Sequence, residues 1–456
     1  MSKITMEELV NYCKQYGFIF QGSEIYGGLA NTWDYGPLGA RLKNNLKDAW
    51  RKKFIQERKN SYEIDPTILM HPKVWEASGH VASFADPLID CKECKMRHRV
   101  DKLIDAFNPD VIADKMTQKE QIAYIRDNKI PCPKCGKSNY TDIRDFNLLF
   151  ETYRGVTADN KMKIYLRPEN AQGEYVNFLN VLRSMRCKLP FSMGQIGTVF
   201  RNEITPGNFT FRTIEFEQME YQTYCKEGQD EELYNYFKEF GKKFYIDLGI
   251  SEDKLSYHDH DKLAHYAKAA CDIYYEFPWG PDEINGTHNR TDFDLKNHQE
   301  LSGVSQEYTD PETNEKYIPY IIESTYGVGR SVLALLFNGY DKEELEGDEA
   351  REVMRLHPFL APYKVAVFPL VKKYHSDKAA EIYESLCKYF MTTYDETGSI
   401  GKRYRRQDVI GTPFCVTIDD ETISNNTVTI RDRDTMEQIT LPLDELAAYV
   451  SERIKL

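Results

Sequence analysis

The sequence predicts an α+β protein of more than one domain, and three observations lead to this fold class. The chain has 456 residues, of which 41% are hydrophobic, so it can bury two or three cores. The segments 200–222 and 317–337 have the patterns of a strand hairpin and of a strand, turn and helix. After Ala361 strand patterns alternate with a helical pattern, which predicts a separate α/β domain at the C-terminus.

The first strong element is a long amphipathic helix from Ala40 to Arg58. Its sequence, ARLKNNLKDAWRKKFIQER, follows the breaker pair Gly36-Pro37. Apolar residues recur in it near helical spacing, namely Leu42, Leu46, Ala49, Trp50 and Phe54.

The hairpin in FRNEITPGNFTFRTIEFEQMEYQ turns at the polar residues Thr205 to Asn208. Because strand side chains alternate between faces, Arg201 and Glu203 should share one face of the first arm. On the returning arm the same alternation predicts a shared face for Arg212, Ile214, Phe216, Gln218 and Glu220. An exposed hairpin with cross-strand ion pairs would have this composition. The alternative is a nucleotide site, with arginine on phosphate and phenylalanine stacked on the base.

The segment YIPYIIESTYGVGRSVLALLF predicts an apolar strand, a Gly-x-Gly turn and a helix that opens near Arg330. Val332 stands where a Rossmann fingerprint needs its third glycine, and the sequence holds no G-x-x-x-x-G-K-[ST] motif. The two most familiar phosphate-binding loops are therefore absent from the sequence.

The C-terminal domain is predicted from APYKVAVFPL as a buried strand, SDKAAEIYESLCKYF as a helix, and PFCVTID and NTVTIRD as strands. Within it, GKRYRRQD gathers basic residues around Tyr404, namely Lys402, Arg403, Arg405 and Arg406. A charge run of this kind is usually a solvated face. In a nucleic-acid-binding domain it would instead supply phosphate contacts and a stacking ring.

Four of the ten cysteines form two C-x2-C pairs, in DCKECKMR and IPCPKCGKSNY. Cys91, Cys94, Cys132 and Cys135 are candidates for a structural Zn²⁺ site with four thiolate ligands. Four thiolates leave no open position, so a catalytic metal is not expected there. Unmetallated or redox-active thiols are the alternative.

The net charge is −13, from 59 Lys plus Arg against 72 Asp plus Glu, which disfavours indiscriminate coating of nucleic acid. No window approaches eighteen consecutive apolar residues, and the start MSKITMEELVNYCKQYG lacks the apolar core of a secretion signal. We therefore expect a cytoplasmic protein with no membrane partner.

Together, FRNE with its aromatic return strand and GVGR before a helix resemble motifs 2 and 3 of the class II aminoacyl-tRNA synthetases. Further collinear stretches resemble the homodimeric type of glycyl-tRNA synthetase, from about Phe18 to Met436. These stretches are DYGPLGARLKNNLKDAW, HPKVWEASGH, LRPENAQGEYVNF, KLPFSMGQIGTVFRNEITP and GSIGKRYRRQDVIGTPFCVTID.

The resemblance implies a six-stranded antiparallel catalytic sheet flanked by helices, followed by a mixed α/β anticodon-binding domain at 360–456. It places the catalytic domain at 1–89 and 146–355, with motif 1 at about 40–75, motif 2 at about 199–222 and motif 3 at about 318–337. It also implies a cysteine-containing insertion at 90–145 and a second insertion at 225–300 that carries a substrate-site segment.

The resemblance further implies that glycine and ATP form glycyl-adenylate with Mg²⁺, and that glycine then passes to tRNA(Gly) on a homodimeric enzyme. Arg201 would hold the α-phosphate and the carboxylate, Phe216 would stack on adenine, and Arg330 would clamp the distal phosphates. Glu203 would fix adenine or Arg201, and Glu283 would bind ATP and Mg²⁺. The remaining expected ATP contacts are Asn202, Phe211, Arg212, Ile284, Gly327 and Gly329.

Glycine has no side chain to recognise, so selection should work by crowding its Cα and by satisfying its ammonium group with carboxylates. The resemblance places Arg99, Glu169, Gln218, Glu220, Glu323 and Thr325 in this pocket. Two stretches depart from the family pattern: Asn170 replaces the usual threonine of RPETAQG, and ESTYGVGR replaces the commoner EPSAGVDR. The second departure leaves the hydroxyl geometry at Thr325 open.

Two other interpretations stay open from the sequence. One is a class II synthetase for another amino acid with a similar C-terminal domain, such as threonine or proline. The other is a non-catalytic accessory protein that binds nucleic acid. The presence of Arg201, Glu203, Phe216 and Arg330 together favours an enzyme, because an accessory protein need not retain this set.

Overall fold

The computed structural model describes residues 4–113, 116–155, 161–203, 207–260, 263, 267–344 and 350–456. The N-terminal part contains α1 (Met6–Tyr16), β1 (Ile19–Gln21), β2 (Trp33–Tyr35), α2 (Pro37–Trp50), β3 (Ser61–Glu63), α3 (Pro72–Ala77) and α4 (His80–Ser83). Helix α2 starts at Pro37 and continues as a π-helical turn over Arg51–Gln56. The predicted helix over 40–58 is thus confirmed, with its start three residues earlier.

The cysteine-containing segment forms a small unit of its own. It contains β4 (Ala85–Asp90), β5 (Arg97–Arg99), α5 (Val100–Phe107), α6 (Gln118–Asp127) and β6 (Arg144–Asn147), and is followed by the hairpin of β7 (Glu151–Arg154) and β8 (Met162–Tyr165). Strands β5, β4 and β6 make a three-stranded antiparallel sheet. Its separate apolar core includes Ile89, Ile104 and Ile125.

The elements between 171 and 354 build the centre of the molecule. They are α7 (Ala171–Val176), α8 (Phe178–Ser184), β9 (Phe191–Phe200), β10 (Glu215–Cys225), α9 (Asp230–Asp247), β11 (Leu255–Asp259), β12 (Ala269–Phe277), β13 (Gly280–Thr291), α10 (Phe293–Ser302), β14 (Tyr308–Thr309), β15 (Lys316–Tyr317), β16 (Tyr320–Gly327), α11 (Val328–Gly339), β17 (Tyr340–Glu344) and β18 (Ala350–Met354).

The central sheet has the strand order β11-β12-β13-β16-β10-β9-β3. Its first six strands are antiparallel, as the resemblance implies, and the short strand β3 joins β9 in parallel as a seventh. The expectation that 225–300 is an insertion is wrong, because this segment supplies α9 and the strands β11, β12 and β13 of the sheet itself.

One face of the sheet packs on helices and forms the main core. Met219, Tyr221 and Tyr326 point to this face and share its core with Trp50 and Phe54 of the motif 1 region, where Phe54 packs against both tyrosine rings. These side chains are at most 1% exposed. Since successive strand residues point to opposite faces, Gln218, Glu220 and Thr325 point to the other face.

The C-terminal domain contains β19 (Val365–Pro369), α12 (Lys372–Leu386), β20 (Thr392–Tyr394), α13 (Ile400–Asp408), β21 (Phe414–Ile418), α14 (Asp420–Asn425), β22 (Thr427–Asp432), β23 (Gln438–Pro442) and α15 (Leu446–Arg453). Its mixed sheet has the order β20-β19-β21-β22-β23, with β19 parallel to β20 and β21. The separate α/β domain is therefore confirmed. Buried Arg351 of β18 donates to Asp408, which also pairs with Arg431, and this network joins the domain to the catalytic part.

None of the helices in the described ranges is long and apolar enough to cross a membrane.

Candidate active site

A cavity of about 290 Å³ lies on the face of the central sheet that does not carry the main core. Cross-strand pairing builds its floor: Glu220 pairs with Thr325, which pairs with Gly286. One row further along the strands, Gln222 pairs with Glu323, which pairs with His288. Directly paired residues share a face of the sheet, so polar side chains of β10, β16 and β13 point into the same cavity.

The cavity brings together most of the residues predicted to bind ATP or glycine. Lining it are Glu169, Arg201, Glu203, Phe211, Phe216, Gln218, Glu220, Glu283, Glu323, Thr325, Gly327, Gly329 and Arg330. Glu323 lies four residues before Gly327 on β16. Glu323 is therefore separated from the Gly327 turn that precedes Arg330 by roughly 14 Å along the strand.

Arg201 follows directly after β9 rather than lying within a paired strand. Its Nε donates to the Pro168 carbonyl oxygen over 3.0 Å, and its guanidinium lies 5.5 Å from the ring centres of both Phe84 and Phe216. The carbonyl and the two rings fix the guanidinium at the cavity wall. The predicted nearness of Arg201 to Phe216 is thus present.

The hairpin prediction needs one correction. Strand β9 ends at Phe200 and β10 begins at Glu215, so Arg201, Glu203 and Arg212 lie in the connection between the strands. Residues 204–206, which include part of the predicted turn, lie outside the described residues. Arg212 Nη1 lies 3.4 Å from Glu203 Oε2, so these two side chains interact across the connection.

Arg330 stands in the first turn of α11, as the strand-turn-helix pattern predicts. Its Nη1 lies 2.9 Å from Glu283 Oε2 and donates to the Glu283 carbonyl oxygen over 3.1 Å. Gly329 is required by close packing, because a Cβ there would lie 2.9 Å from the Thr210 carbonyl oxygen. The GVGR motif therefore lets α11 approach the motif 2 connection closely enough to place Arg330.

Glu283 is an anion in this setting. Burial raises the pKa of its carboxyl, but Arg330 more than offsets burial and the pKa lies below its usual value. An ionised carboxylate at the cavity wall is the kind of oxygen ligand that Mg²⁺ takes beside a phosphate group. The donor chemistry of Glu283 therefore fits a magnesium ion.

Glu323 is the most heavily supported carboxylate of the cavity. Its oxygens accept from Gln222 Nε2 at 2.9 Å and from Arg290 Nη1 at 3.2 Å, and His288 Nδ1 lies at 2.8 Å. Burial alone would raise its pKa, but Arg290 and His288 hold the pKa of Glu323 far below its usual range. A fixed negative charge results at this end of the cavity.

Glu169 and Glu220 differ in charge although both line the same space. Burial raises the pKa of Glu169, but His80 and then Arg290 lower it to about 2. For Glu220, burial and then the neighbouring Glu323 and Glu169 raise the pKa well above its usual range. The free site thus favours the ionised forms of Glu169 and Glu323 and the protonated form of Glu220.

Eight cavity residues are not among the site residues predicted from the sequence, namely Thr210, Thr213, Glu217, His260, Asp272, Gly286, His288 and Arg290. Gly286, His288 and Arg290 alternate along β13, and this alternation was a signal in the sequence. Asp272 Oδ2 lies 2.7 Å from His260 Nε2, and burial followed by the nearby Glu283 raises the pKa of Asp272. Their place in the site depends on strand order, which the pattern alone does not give.

Four of the predicted ATP- and glycine-site residues do not line the cavity, namely Arg99, Asn202, Arg212 and Ile284. Arg99 pairs with Asp86 at 3.1 Å and with Asp101 at 2.7 Å in the cysteine-containing unit. Ile284 is 1% exposed in the main core, because it lies one residue from Glu283 on the opposite face of β13. The backbone of Asn202 donates to the Leu148 carbonyl oxygen. The Ile284 side chain therefore faces the core, and its predicted ATP contact stays a prediction for its backbone alone.

The four predicted cysteine ligands meet, with all four Sγ atoms within 4.8 Å of one another. Each C-x2-C pair sits on a tight turn followed by a residue with positive φ, Lys95 at 59° and Gly136 at 71°. The Sγ atoms of Cys91 and Cys135 are 3.6 Å apart, as are those of Cys94 and Cys132. A tetrahedral zinc site with Zn–S bonds of about 2.3 Å has sulfur separations of about 3.8 Å, so this quartet fits Zn²⁺.

The basic run lies on α13, but its side chains do not form one exposed face. Arg403 is buried and donates to the carbonyl oxygens of Pro369, Glu396 and Gly398. The half-buried Tyr404 places its hydroxyl 2.7 Å from the Thr417 hydroxyl. The expectation of a tRNA contact is corrected for Arg403, whose buried guanidinium binds carbonyl groups of its own domain, and it stays a prediction for Tyr404. Lys402 and Arg406 are exposed and Arg405 is half-buried.

Comparison with known proteins identifies both domains. The family model of the tRNA synthetase class II core domain (G, H, P, S and T) matches residues 151–339, and that of the anticodon binding domain matches residues 364–453. The solved structure of prolyl-tRNA synthetase from Cryptosporidium parvum, complexed with L-proline and AMP, is similar with a TM-score of 0.62. It is 14% identical, and the match covers 100% of this chain and 79% of that one. At this identity the likeness shows a common fold.

Curated relatives are much closer in sequence. The glycine–tRNA ligase of Geobacillus kaustophilus (strain HTA426) is 55% identical over 457 residues, covering 99% of each chain. That of Alkaliphilus oremlandii (strain OhILAs) is 54% identical over 457 residues, again covering 99% of each chain. With this identity over the full length of both chains, and with the class II core and anticodon-binding domains in place, the chain belongs to the glycine–tRNA ligase family.

Proposed function

We propose that this protein joins glycine to the 3′ end of tRNA(Gly) in two steps, by forming glycyl-adenylate from glycine and ATP and then transferring the glycyl group. One observation carries the proposal: a single cavity holds Arg201 and Arg330 near the motif 2 and motif 3 turns, and ionised Glu169 and Glu323 on its other walls. Cations suit the phosphates of ATP, and carboxylates suit the ammonium group of an amino acid.

In the first step a carboxylate oxygen of glycine attacks the α-phosphorus of ATP, and the bond from that phosphorus to the pyrophosphate oxygen breaks. The carboxylate is already a nucleophile, so alignment and charge neutralisation matter more than proton removal. We assign Arg201 to the α-phosphate and carboxylate, Phe216 to adenine and Arg330 to the distal phosphates. Arg212 would make a second phosphate contact, with Glu203 as its partner.

Mg²⁺ is part of this proposal, and Glu283 would hold it. The ion would supply positive charge to the phosphates as pyrophosphate leaves. Arg330 touches both the carboxylate and the carbonyl of Glu283, so it couples the position of this ligand to the α11 terminus.

The glycine pocket would use carboxylates in two protonation states. Ionised Glu169 and Glu323 would attract the ammonium group, and Gln218, Glu220 and Thr325 would crowd the Cα. The arriving positive charge would favour ionised Glu220, so glycine binding should release a proton from it. A methyl group on Cα would meet these side chains, which would exclude alanine.

In the second step a hydroxyl of the terminal tRNA ribose attacks the glycyl carbonyl, and AMP leaves. Lys402, Arg405 and Arg406 on α13 are our candidates for contact with the tRNA in the C-terminal domain. Because that domain is joined to the catalytic part by the Arg351–Asp408 pair, tRNA bound there would be held in a fixed relation to the cavity. A cytoplasmic location, where tRNA is used in translation, belongs to the same proposal.

The structural metal and the assembly state complete the proposal. Cys91, Cys94, Cys132 and Cys135 would bind one Zn²⁺ and close the unit that follows α4.

A homodimer is supported by an exposed apolar tip between β1 and β2, where Ile25 is 89% exposed, Tyr26 is 87% exposed and Leu29 is 56% exposed. An exposed apolar group of this kind is typical of an interface with another chain.

Amino-acid-dependent ATP–pyrophosphate exchange tests the activity across all twenty amino acids. We expect exchange with glycine and, in a separate assay, transfer of labelled glycine to tRNA(Gly). Exchange that prefers threonine or proline, or no exchange with any amino acid, would contradict the proposal.

Light scattering after size exclusion tests the dimer. The double variant Ile25→Ser/Tyr26→Ser is expected to shift the protein from dimer toward monomer.

A further inference from the structure

Both carboxylate oxygens of Glu169 are held, each by a different side chain, and we infer that His80 and Gln172 are positioning residues that set glycine selectivity through Glu169. His80 Nε2 lies 3.4 Å from Glu169 Oε2, and Gln172 Nε2 donates to Glu169 Oε1 over 2.9 Å. Neither His80 nor Gln172 lines the cavity, whereas Glu169 does. The inference rests on the proposed function and adds two residues to it.

The His80 side is anchored on α4 and on the segment before it. Ser78 Oγ lies 2.7 Å from His80 Nδ1. An imidazole with its proton on Nε2 satisfies both contacts, because Nδ1 can accept from the serine hydroxyl while Nε2–H donates to Glu169. The ring also packs edge-on against buried Trp75, 5.6 Å between centres, and against Phe84 at 5.0 Å. Packing and hydrogen bonding thus fix the direction in which His80 donates.

The Gln172 side chain is fully buried, and only one orientation of its amide group suits its neighbours. Gln172 Nε2 donates to Glu169 Oε1 and to Asp294 Oδ1, the latter over 3.3 Å, and His298 Nε2 lies 2.8 Å from Gln172 Oε1. Reversing the amide would point its oxygen at two carboxylates, which is repulsive. Burial lowers the pKa of His298, so its ring is neutral and can donate to Gln172 Oε1 through Nε2–H.

The Gln172 side also connects the two ionised carboxylates of the pocket. Asp294 accepts from Arg290 at 2.8 and 3.0 Å, and Arg290 Nη1 donates to Glu323. A continuous chain of side chains therefore runs from Glu169 through Gln172, Asp294 and Arg290 to Glu323. The distance between the two carboxylates is set by this chain rather than by either carboxylate alone.

Selection by exclusion depends on such fixation. A glutamate side chain has three rotatable bonds, and an unheld carboxylate could swing away from a methyl group at little cost. Held at both oxygens, Glu169 keeps its position, and a methyl group has to displace the supports as well. Loss of either support should therefore weaken glycine binding and also make the pocket more permissive.

Matched substitutions at His80 test the first support. The amide nitrogen of glutamine can replace Nε2 of histidine, and that of asparagine can replace Nδ1, so His80→Gln can still reach Glu169 while His80→Asn can reach only Ser78. In the exchange assay we expect His80→Asn to raise the KM for glycine by about tenfold or more, the cost of one hydrogen bond to a charged group. The preference for glycine over alanine in kcat/KM should fall by a similar factor. His80→Gln should keep both values within about threefold of the starting protein.

The near-isosteric Gln172→Glu tests the second support, because it turns a donor toward Glu169 into a repelling carboxylate. This variant should raise the KM for glycine and lower the preference for glycine over alanine in kcat/KM. The KM for ATP should stay unchanged. His71→Gln and Gln407→Leu serve as controls: His71 caps α3 and Gln407 is buried in the C-terminal domain, and neither contacts the cavity. Both control variants should change the melting temperature and leave the preference for glycine over alanine unchanged.

The outcomes separate the two proposals. If the unsubstituted protein shows no exchange with glycine, the proposed function fails. The other case is a protein that shows exchange with glycine, while His80→Asn and Gln172→Glu lower only the melting temperature. If the KM for glycine and the preference for glycine over alanine then stay within about twofold, the two residues are structural and the inference is overturned.

Discussion

The guanidinium of Arg330 lies 4.4 Å from the centre of the Phe211 ring, and its Nε donates to the Phe211 carbonyl oxygen over 3.2 Å. Phe211 belongs to the motif 2 connection and Arg330 to the start of α11. The two nucleotide-binding motifs are therefore in direct contact before any ligand arrives, which means that the phosphate-binding arginine is held in place by the other motif.

This contact leads to a first prediction about phosphate chemistry. Arg201→Ala and Arg330→Ala should each lower adenylate formation by about a hundredfold or more, since one preorganised charge contact to a transition state is worth about 3 kcal/mol. Pyrophosphate exchange measures this, with Arg126→Ala as a control because Arg126 pairs with Asp142 at the surface. Exchange close to that of the control in either variant would refute the assignment.

A second prediction concerns Glu169. Glu169→Ala removes both a counter-charge for the ammonium group and bulk beside Cα, so glycine activation should fall. Discrimination against alanine should shrink too, because excluding one methyl group by sterics is worth about 1 to 3 kcal/mol. Exchange rates with both amino acids, beside melting curves, decide the matter. A variant that is only less stable, with an unchanged ratio of glycine to alanine, would show that Glu169 is not a pocket residue.

A third prediction concerns tRNA. Replacing Lys402, Arg405 and Arg406 with alanine should weaken tRNA binding and flatten its salt dependence, because each lost phosphate contact removes about one released counterion. Adenylate formation should persist. Arg403→Ala should instead lower the melting temperature, because it removes the donors to three carbonyl groups of the domain. Unchanged affinity of the triple variant at every salt concentration would make this helix an ordinary solvated surface.

A fourth prediction is one Zn²⁺ per chain. Elemental analysis of protein purified under reducing conditions without chelator should find it, and Cys132→Ser/Cys135→Ser should lose it, because only two thiolates then remain. The exposed Cys387 provides a matched control, and Cys387→Ser should keep the metal. Protein without zinc, or with disulfides joining the pairs, argues for the thiol alternatives.

A fifth prediction follows from Glu174, which is fully buried and whose carboxylate oxygens find no hydrogen-bond partner within the described part of the chain. Burial, and then Glu220 and Glu323, raise its pKa well above the usual range. The folded state thus binds this proton more tightly than the unfolded chain. Its stabilising contribution is complete below the unfolded pKa of about 4.3 and is lost as the pH rises toward the folded value.

The side chain of Glu174→Gln stays neutral. As the pH rises from about 5 to about 8, the stability of this variant should therefore fall less than that of the unsubstituted protein. Melting temperatures across this range measure the difference, with the exposed Glu300→Gln as control. Parallel pH profiles for the unsubstituted protein and Glu174→Gln would show that the carboxyl is not protonated in the folded state.

The parts of the site that could be predicted from sequence have local determinants. The strand, turn and helix from Tyr320 to Gly339 follow from an apolar run, two glycines and a helical repeat, all within twenty or so neighbouring residues. The cysteine quartet follows from spacing, because each C-x2-C pair makes its own turn. The C-terminal domain follows from a change of pattern near Ala361.

The parts that could not be predicted depend on distant pairing. His288 and Arg290 enter the cavity only because β13 pairs with β16, and the sequence does not give that strand order. For the same reason the sequence suggests an insertion at 225–300, although its strands belong to the central sheet. Arg403 resembles an exposed cation in sequence, but the carbonyl oxygens that satisfy it include one 34 residues away, at Pro369.

The alternation of the central strands limits how this enzyme could be redesigned for another amino acid. On β10 and β16 the residues Gln218, Glu220, Glu323 and Thr325 face the cavity, and the alternate residues Met219, Tyr221 and Tyr326 belong to the core that contains Trp50 and Phe54. Inserting or deleting one residue would exchange the two sets and bury Glu220 and Glu323 among aromatic rings. Enlarging the pocket from these strands for a bulkier substrate must therefore proceed by point replacement at the cavity-facing positions, because a one-residue change in strand length would invert the faces.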